Sequence, residues 1–320
     1  MMTAWLRLSI PLVAAAVVAG CGGTVTQGNS GVPSFARTAP ASSGDLLYVA
    51  HAKGESLESP GQLSIFTFPK GSLVGEFALS GSPTGVCADG AGNVWIVESE
   101  KYVWHAFEFA HGGNVPIAKI RIPNPNYASG CAIDPSSGDL AVFAGVDGSQ
   151  GEGGRVDIWS GARAGEPAEY RLSFTPSAGA YDPSGNLFVD GYIGGSQSFY
   201  LDELAKGGTS FSNVVVERHT EFPGGVQWDG SYITVETGGL GRRASIYRLT
   251  VSNGRASVVG TTHPRDLDVG SYCLADGVVA GISGPYGLKV LLWPYPQGSA
   301  PTLLSRFKYT PRGLAISAGN

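Results

Sequence analysis

The chain has 320 residues, 42% of them hydrophobic and only 15% charged, with a formal net charge of -5. So few cations exclude a broadly phosphate-neutralising surface, and with it DNA or RNA as a partner. In so apolar a chain the 48 glycines and 20 prolines indicate many tight turns rather than disorder, and the composition excludes coiled coil, collagen and a disulfide-dense scaffold.

Residues 1–20 read as a leader. Arg7 is their only charge, and Leu8 to Ala19 is a nearly continuous apolar run of signal-peptide length, too short to span a bilayer comfortably. The run ends Val18-Ala19-Gly20-Cys21. This resembles a bacterial lipobox, in which the cysteine is lipidated and becomes the new N-terminus; ordinary secretion is the alternative. Gly22 follows where aspartate would retain the protein at an inner membrane, so the resemblance implies the outer membrane if the cell has one. Two acyl chains hold a protein stably where one is marginal. Residues 21–43, rich in Gly, Ser, Thr, Pro and Ala, read as a flexible tether between Cys21 and the folded body.

From residue 44 the chain is repetitive. Pro83-Thr84-Gly85-Val86-Cys87-Ala88-Asp89 is followed by Gly92-Asn93-Val94-Trp95-Ile96-Val97. The pair recurs at Ala128–Asp134 with Gly138–Phe143, around Asp182 with Gly185–Val189, and around Asp229 with Gly230–Val235. A degraded copy is read from Pro264 to Gly270, and a last one in Pro311–Ser317. Each copy is a short strand ending at the Asp, a glycine turn, and a second apolar strand. Two further alternating runs complete each unit, as in Leu63–Phe68 with Leu73–Leu79, Val103–Phe109 with Val115–Ile122, Arg155–Trp159 with Ala168–Leu172, and Ser245–Val251 with Ala256–Gly260. The run Leu201–Lys206 breaks the pattern as a helical interruption or a blade-edge turn.

Four strands per unit of about 45 residues predict an all-β, six-bladed β-propeller over 44–320. Gly44–Val49 is a second strand lacking its first, and Pro311–Ser317 a first strand lacking its second. Joined, they make one blade of four antiparallel strands and close the ring. Trp95, Trp104, Trp159, Trp228 and Trp293 all fall in strands, where blade packing is expected of them rather than ligand stacking. The repeat aspartates are expected to accept backbone N–H bonds in the turns that follow.

The pattern Pro-x-Gly-x-x-x-Asp, then Gly-Asn-hydrophobic-aromatic-hydrophobic-Val, resembles NHL repeats and the wider group of gluconolactonase-like (SMP-30-like) propellers. That resemblance puts the residue before each repeat glycine at the upper mouth of a central channel, giving Thr84, Ser129, Ser177, Gly224, Arg265 and Arg312. Gluconolactonase-like enzymes hold a divalent metal there with carboxylates and Asn side chains. This ring has none, and hard cations need charged oxygen ligands. The two arginines instead suit a small anion or an acidic sugar, or they pair with acids such as Asp266 or Asp268.

The ends of the second strands form a wider rim with His51, Glu98, Asp190 and Glu236, joined by His263; nothing in their spacing makes them converge on a metal. No nucleophile elbow, zincin, phosphate-loop or Cys-x-x-Cys motif is present, so no catalytic residue and no cofactor is assigned. Cys87 and Cys131 lie on inner strands of adjacent blades, where they form a disulfide in an oxidising compartment or pack as buried thiols. The function expected is a membrane-anchored binding or scaffold module outside the cytoplasm, taking a small anion, glycan or protein partner. The alternative is a propeller-type lyase or lactone hydrolase built from Arg265, Arg312, His51 and the rim carboxylates.

Overall fold

The computed structural model describes residues 44–54, 59–123, 125–145, 153–193, 198–238, 244–283 and 287–319, with the backbone alone over 267–270. The leader, Cys21 and the tether lie outside the described residues.

Six separate sheets are built in chain order. Blade 1 pairs Pro311–Ser317 with Leu46–Ala52, followed by Gly61–Thr67 and Leu73–Ala78. Blade 2 is Ser82–Ala88, Val94–Glu100, Val103–Phe109 and Pro116–Arg121; blade 3 is Tyr127–Ile133, Leu140–Gly145, Gly154–Trp159 and Ala168–Leu172. Blade 4 runs Thr175–Tyr181, Leu187–Tyr192, Tyr200–Leu204 and Ser212–Asn213. Blade 5 runs Phe222–Trp228, Ile233–Gly238, Ser245–Ser252 and Arg255–Thr262, and blade 6 Leu267–Ala275, Val278–Ser283, Lys289–Pro294 and Thr302–Arg306. The chain is thus a six-bladed β-propeller. Blade 5 gains a fifth, parallel strand, Val215–Val216, lent by the segment leaving blade 4.

Ring closure joins the two ends of the body in one sheet, from Leu46↔Ser317 to His51↔Pro311. Side chains reinforce it: Ser317 Oγ contacts His111 Nδ1 at 2.6 Å, and Gly319 N–H donates to Asp45 at 2.8 Å.

The strand alternation sends side chains to the two faces of each blade, and adjacent blades stack those faces together. Among the described residues six apolar clusters result, each spanning neighbouring blades. Second strands, flanked by strands on both edges and blades on both faces, are the most deeply covered; Leu46–Ala52 and Leu140–Gly145 are buried at every residue. Each buried Leu, Ile, Val or Phe contributes about 1.5–3 kcal/mol relative to exposure. Trp95, Trp159 and Trp293 are fully buried between blades, as expected of packing residues.

The structure departs from the sequence pattern in two elements. Leu201–Lys206 is neither a helix nor an edge turn, because Tyr200–Leu204 is the third strand of blade 4. Its leucines, three apart, mimic a helical stripe. In a strand that odd spacing sends them to opposite faces, and Leu201 packs toward blade 5 while Leu204 packs toward blade 3. The fifth repeat lies six residues later than the Pro264–Gly270 reading. Its inner strand Leu267–Ala275 ends at Asp276, which with Gly277 makes a two-residue turn at φ 51° and 71°. That Asp-Gly hairpin replaces the longer Asp-to-Gly turn of the other repeats, so the repeat pattern is not visible there.

Candidate functional site

The inner strands share a device at their upper ends. A β-bulge interrupts the ladder at Thr84, Ser129, Ser177, Gly224 and Arg312, leaving each without a cross-strand partner. Bulged residues are turned out of the regular pleat, and all five line the axial channel, a cavity of about 600 Å³. In blade 6 the irregularity falls between Leu267 and Tyr272, which puts Ser271 in the sixth position. Arg265, read from the shifted repeat, instead occupies an exposed turn where its carbonyl accepts the Trp293 indole N–H at 2.8 Å. Among the described residues the mouth therefore holds one guanidinium, that of Arg312, and the pair of Arg265 with Arg312 is not formed.

Repeat glycines pack the hub closely. A Cβ on Gly85 would lie 2.4 Å from Gly130 Cα of the next blade, and one on Gly313 2.9 Å from Val86 N. Gly224 is held bare by a neighbour, since a Cβ there would meet Glu236 Oε2 at 2.4 Å.

The hydroxyls of the mouth divide into two kinds. Ser129 donates to the Pro176 carbonyl of the next blade at 3.0 Å, and Thr84 to the Val97 carbonyl at 3.4 Å. Their protons are committed within the ring. Ser177 and Ser271 make no side-chain hydrogen bond among the described residues, and neither does Arg312, whose Nε is buried without an acceptor. The arginine forms no ion pair with any described carboxylate.

Aromatic rings complete the wall, a feature the repeat reading missed because it followed a single position per blade. Tyr127, Tyr192 and Phe222 line the same cavity, the last two with centroids 6.0 Å apart. Burial raises the Tyr127 hydroxyl above the usual phenol range, opposed by the nearby positive charge of Arg312.

The rim residues do not converge. His51 is buried, with Nε2 3.2 Å from Ser64 Oγ, which donates to Glu76 at 2.9 Å; burial lowers its pKa. Glu98 accepts from Ser80 Oγ, and burial raises its pKa. His263 is exposed, its Nδ1 3.0 Å from Ser245 Oγ. Asp190 is fully buried and accepts the Ala178 N–H at 2.9 Å and the Gly225 N–H at 3.1 Å, joining the bulges of blades 4 and 5. Loss of hydration pushes its pKa up to about 7 despite these bonds. Asp190 is thus built into a blade joint, His51 and Glu98 are held by buried hydroxyl contacts, and the donor set suits no hard cation at the mouth: none of Thr84, Ser129, Ser177, Gly224, Ser271 and Arg312 carries a carboxylate. Among the described residues no group of three His, Cys, Asp or Glu side chains is placed to hold a metal.

Cys87 and Cys131 are joined in a disulfide that ties the inner strands of blades 2 and 3, so they are not packed as thiols. Cys273 is a buried free thiol.

Fold and site together define a closed six-bladed β-propeller with Arg312 at the mouth of an axial cavity. No protein-family model and no curated protein matches the chain.

Proposed function

We propose that this protein is a binding propeller of the cell envelope whose channel mouth takes a small carboxylate-bearing ligand, an acidic sugar fitting best. The observation that carries the reading is Arg312, a guanidinium at the mouth of the cavity that pairs with no carboxylate among the described residues, the Asp268 side chain lying outside them. A bound carboxylate would meet the terminal N–H groups of this guanidinium in bidentate form. Ser177, Ser271, Tyr127 and Tyr192 offer further hydroxyls, and the rings of Tyr127, Tyr192 and Phe222 offer a face for the C–H surface of a pyranose. The repeat grammar supports kinship with NHL-like propellers, whose fold alone carries no activity.

The lipobox-like Val18–Cys21 supports a lipid anchor at the outer face of a membrane. The Cys87–Cys131 disulfide supports an oxidising compartment. Replacing Cys21→Ser in the producing cell should move the protein from the membrane to the soluble fraction; unchanged membrane retention would remove the anchor from this reading.

A thermal-shift series with uronic acids and matching neutral sugars tests the mouth. At ~100 times the dissociation constant a ligand adds about 2.7 kcal/mol. The acids should stabilise the protein and the neutral sugars should not, and Arg312→Ala should abolish the difference. An equal response to both, or an undiminished one in Arg312→Ala, would overturn the proposal.

A further inference from the structure

The outer half of blade 2 concentrates positive charge on a protein of net charge -5. His105 stands directly opposite Arg121 on the neighbouring strand, and Lys119 lies two residues from Arg121 on the same face, opposite Phe107. These three groups line a cleft of about 620 Å³ with Pro123 and the Ala164–Pro167 segment of blade 3. None of the three forms an ion pair among the described residues. Arg155, also at this end, is already matched by Asp157 at 2.9 Å and donates to the Pro123 carbonyl. It fixes the rim and adds no free charge.

His105 has a defined role in such a cleft. Its Nδ1 is enclosed without a hydrogen-bond partner, so a proton there would be a buried unmet donor. That leaves the ring proton on Nε2, the nitrogen available to a ligand. Burial, Lys119 and Arg121 all hold the imidazole below its usual pKa, with Glu100 opposing them. Glu98, directly opposite His105 on the other side, is hydrogen-bonded to Ser80 and also feels Lys119. Glu166, on the far lip, is exposed.

We propose that this cleft is a second binding site, independent of the channel mouth, for a phosphoryl group. Lys119 and Arg121 supply charge and His105 a directional donor. Two cations and a third donor suit a tetrahedral dianion with three free oxygens better than a carboxylate with two. A dianion also favours the imidazolium, against the cost of a second proton on the enclosed Nδ1, so affinity should increase as pH falls through the His105 titration; Glu98, Glu100 and Glu166 are the acids that repel the anion, while Glu100 itself favours the protonated ring.

The test titrates the full chain with inorganic pyrophosphate against chloride at matched ionic strength, following the His105 ring by NMR. Pyrophosphate should move the His105 resonances and raise the pH at which they titrate. Lys119→Gln and Arg121→Gln, both exposed and expected to melt normally, should each weaken binding about tenfold, which is about 1.4 kcal/mol. Glu166→Gln should tighten it, and Arg312→Gln should leave it unchanged. A parallel arm uses vesicles bearing a phosphomonoester lipid. A response to pyrophosphate identifies a soluble phosphoryl compound as the natural source, and a response to vesicles alone a lipid headgroup. No His105 response to either, or a response lost in Arg312→Gln but kept in Lys119→Gln and Arg121→Gln, would overturn the proposal while leaving the mouth reading to its own test.

Discussion

Asp190 shows how one carboxylate serves as a joint. It accepts backbone N–H groups that the bulges of two blades leave outside the ladder, one at 2.9 Å and one at 3.1 Å. Burial outweighs both bonds and raises its pKa from 3.8 to about 7. The folded chain therefore keeps a proton that the unfolded chain has released. Its contribution to stability is full below about pH 4 and is lost as pH rises through about 7. Denaturant unfolding of the wild-type protein between pH 4 and 8 should show a decline that Asp190→Asn lacks. Parallel profiles for the two would show that Asp190 is ionised in the fold. Asp134 and Asp229 have the opposite sign: turn hydrogen bonds hold Asp134 below the usual carboxylate range against burial, and the Tyr295 hydroxyl, the turn N–H groups of Tyr232 and Ser231, and Arg248 do so for Asp229. The sequence reading of the repeat aspartates anticipated those bonds, as in Asp89 Oδ1 accepting from Ala91 and Asn93 N–H at 2.9 and 2.7 Å. It gave no sign that Asp190 would be sealed between blades, because burial at a bulge depends on the neighbouring blade.

At the scale of the element, the inner strand is the working unit. Its glycine permits close approach at the hub, its bulge turns one side chain toward the axis, and in blades 2 and 3 its cysteines are bonded. Cys87 and Cys131 are 44 residues apart in sequence, and closing a loop of that size stabilises by about 4 kcal/mol on the chain-entropy estimate. Cys87→Ser with Cys131→Ser should lower the melting temperature by roughly 5–10 °C, as for a domain of this size. Scanning calorimetry of the oxidised protein and the double variant checks this, and equal midpoints would show that the bond adds nothing to the fold. The cysteines were legible as neighbours on adjacent inner strands. Whether their sulfurs meet was not, since that depends on how closely the strands approach at the hub.

The whole molecule depends on a strand contributed from the far end of the chain. Pro311–Ser317 covers the inner edge of Leu46–Ala52, a strand buried at every residue. Deleting residues 309–320 would expose that edge and the apolar cluster around Leu47, Val49 and Leu314. An unpaired apolar edge invites aggregation, so the truncated chain should lose its cooperative melt and associate. Cooperative unfolding of that truncation near the wild-type midpoint would contradict closure as the basis of stability. The same long-range closure puts Arg312, near one end of the folded body, beside Tyr127, some 185 residues earlier.

The sequence alone determined the blade count, the strand order and the manner of closure, because strand alternation and turn glycines are local signals repeated often enough to survive one degraded copy. It also identified five of the six mouth positions, from Thr84 to Arg312. It misplaced the sixth, taking Arg265 for Ser271, because an Asp-Gly hairpin removed the landmark used for counting. Only the tertiary structure decided which polar groups are spent in blade joints, which face the cavity, and that Tyr127, Tyr192 and Phe222 wall it. It alone brought His105, Lys119 and Arg121 together with a loop of the next blade. Pattern along a chain reports which face a residue takes, whereas partners and solvent exposure depend on the neighbouring blade against which that face is packed.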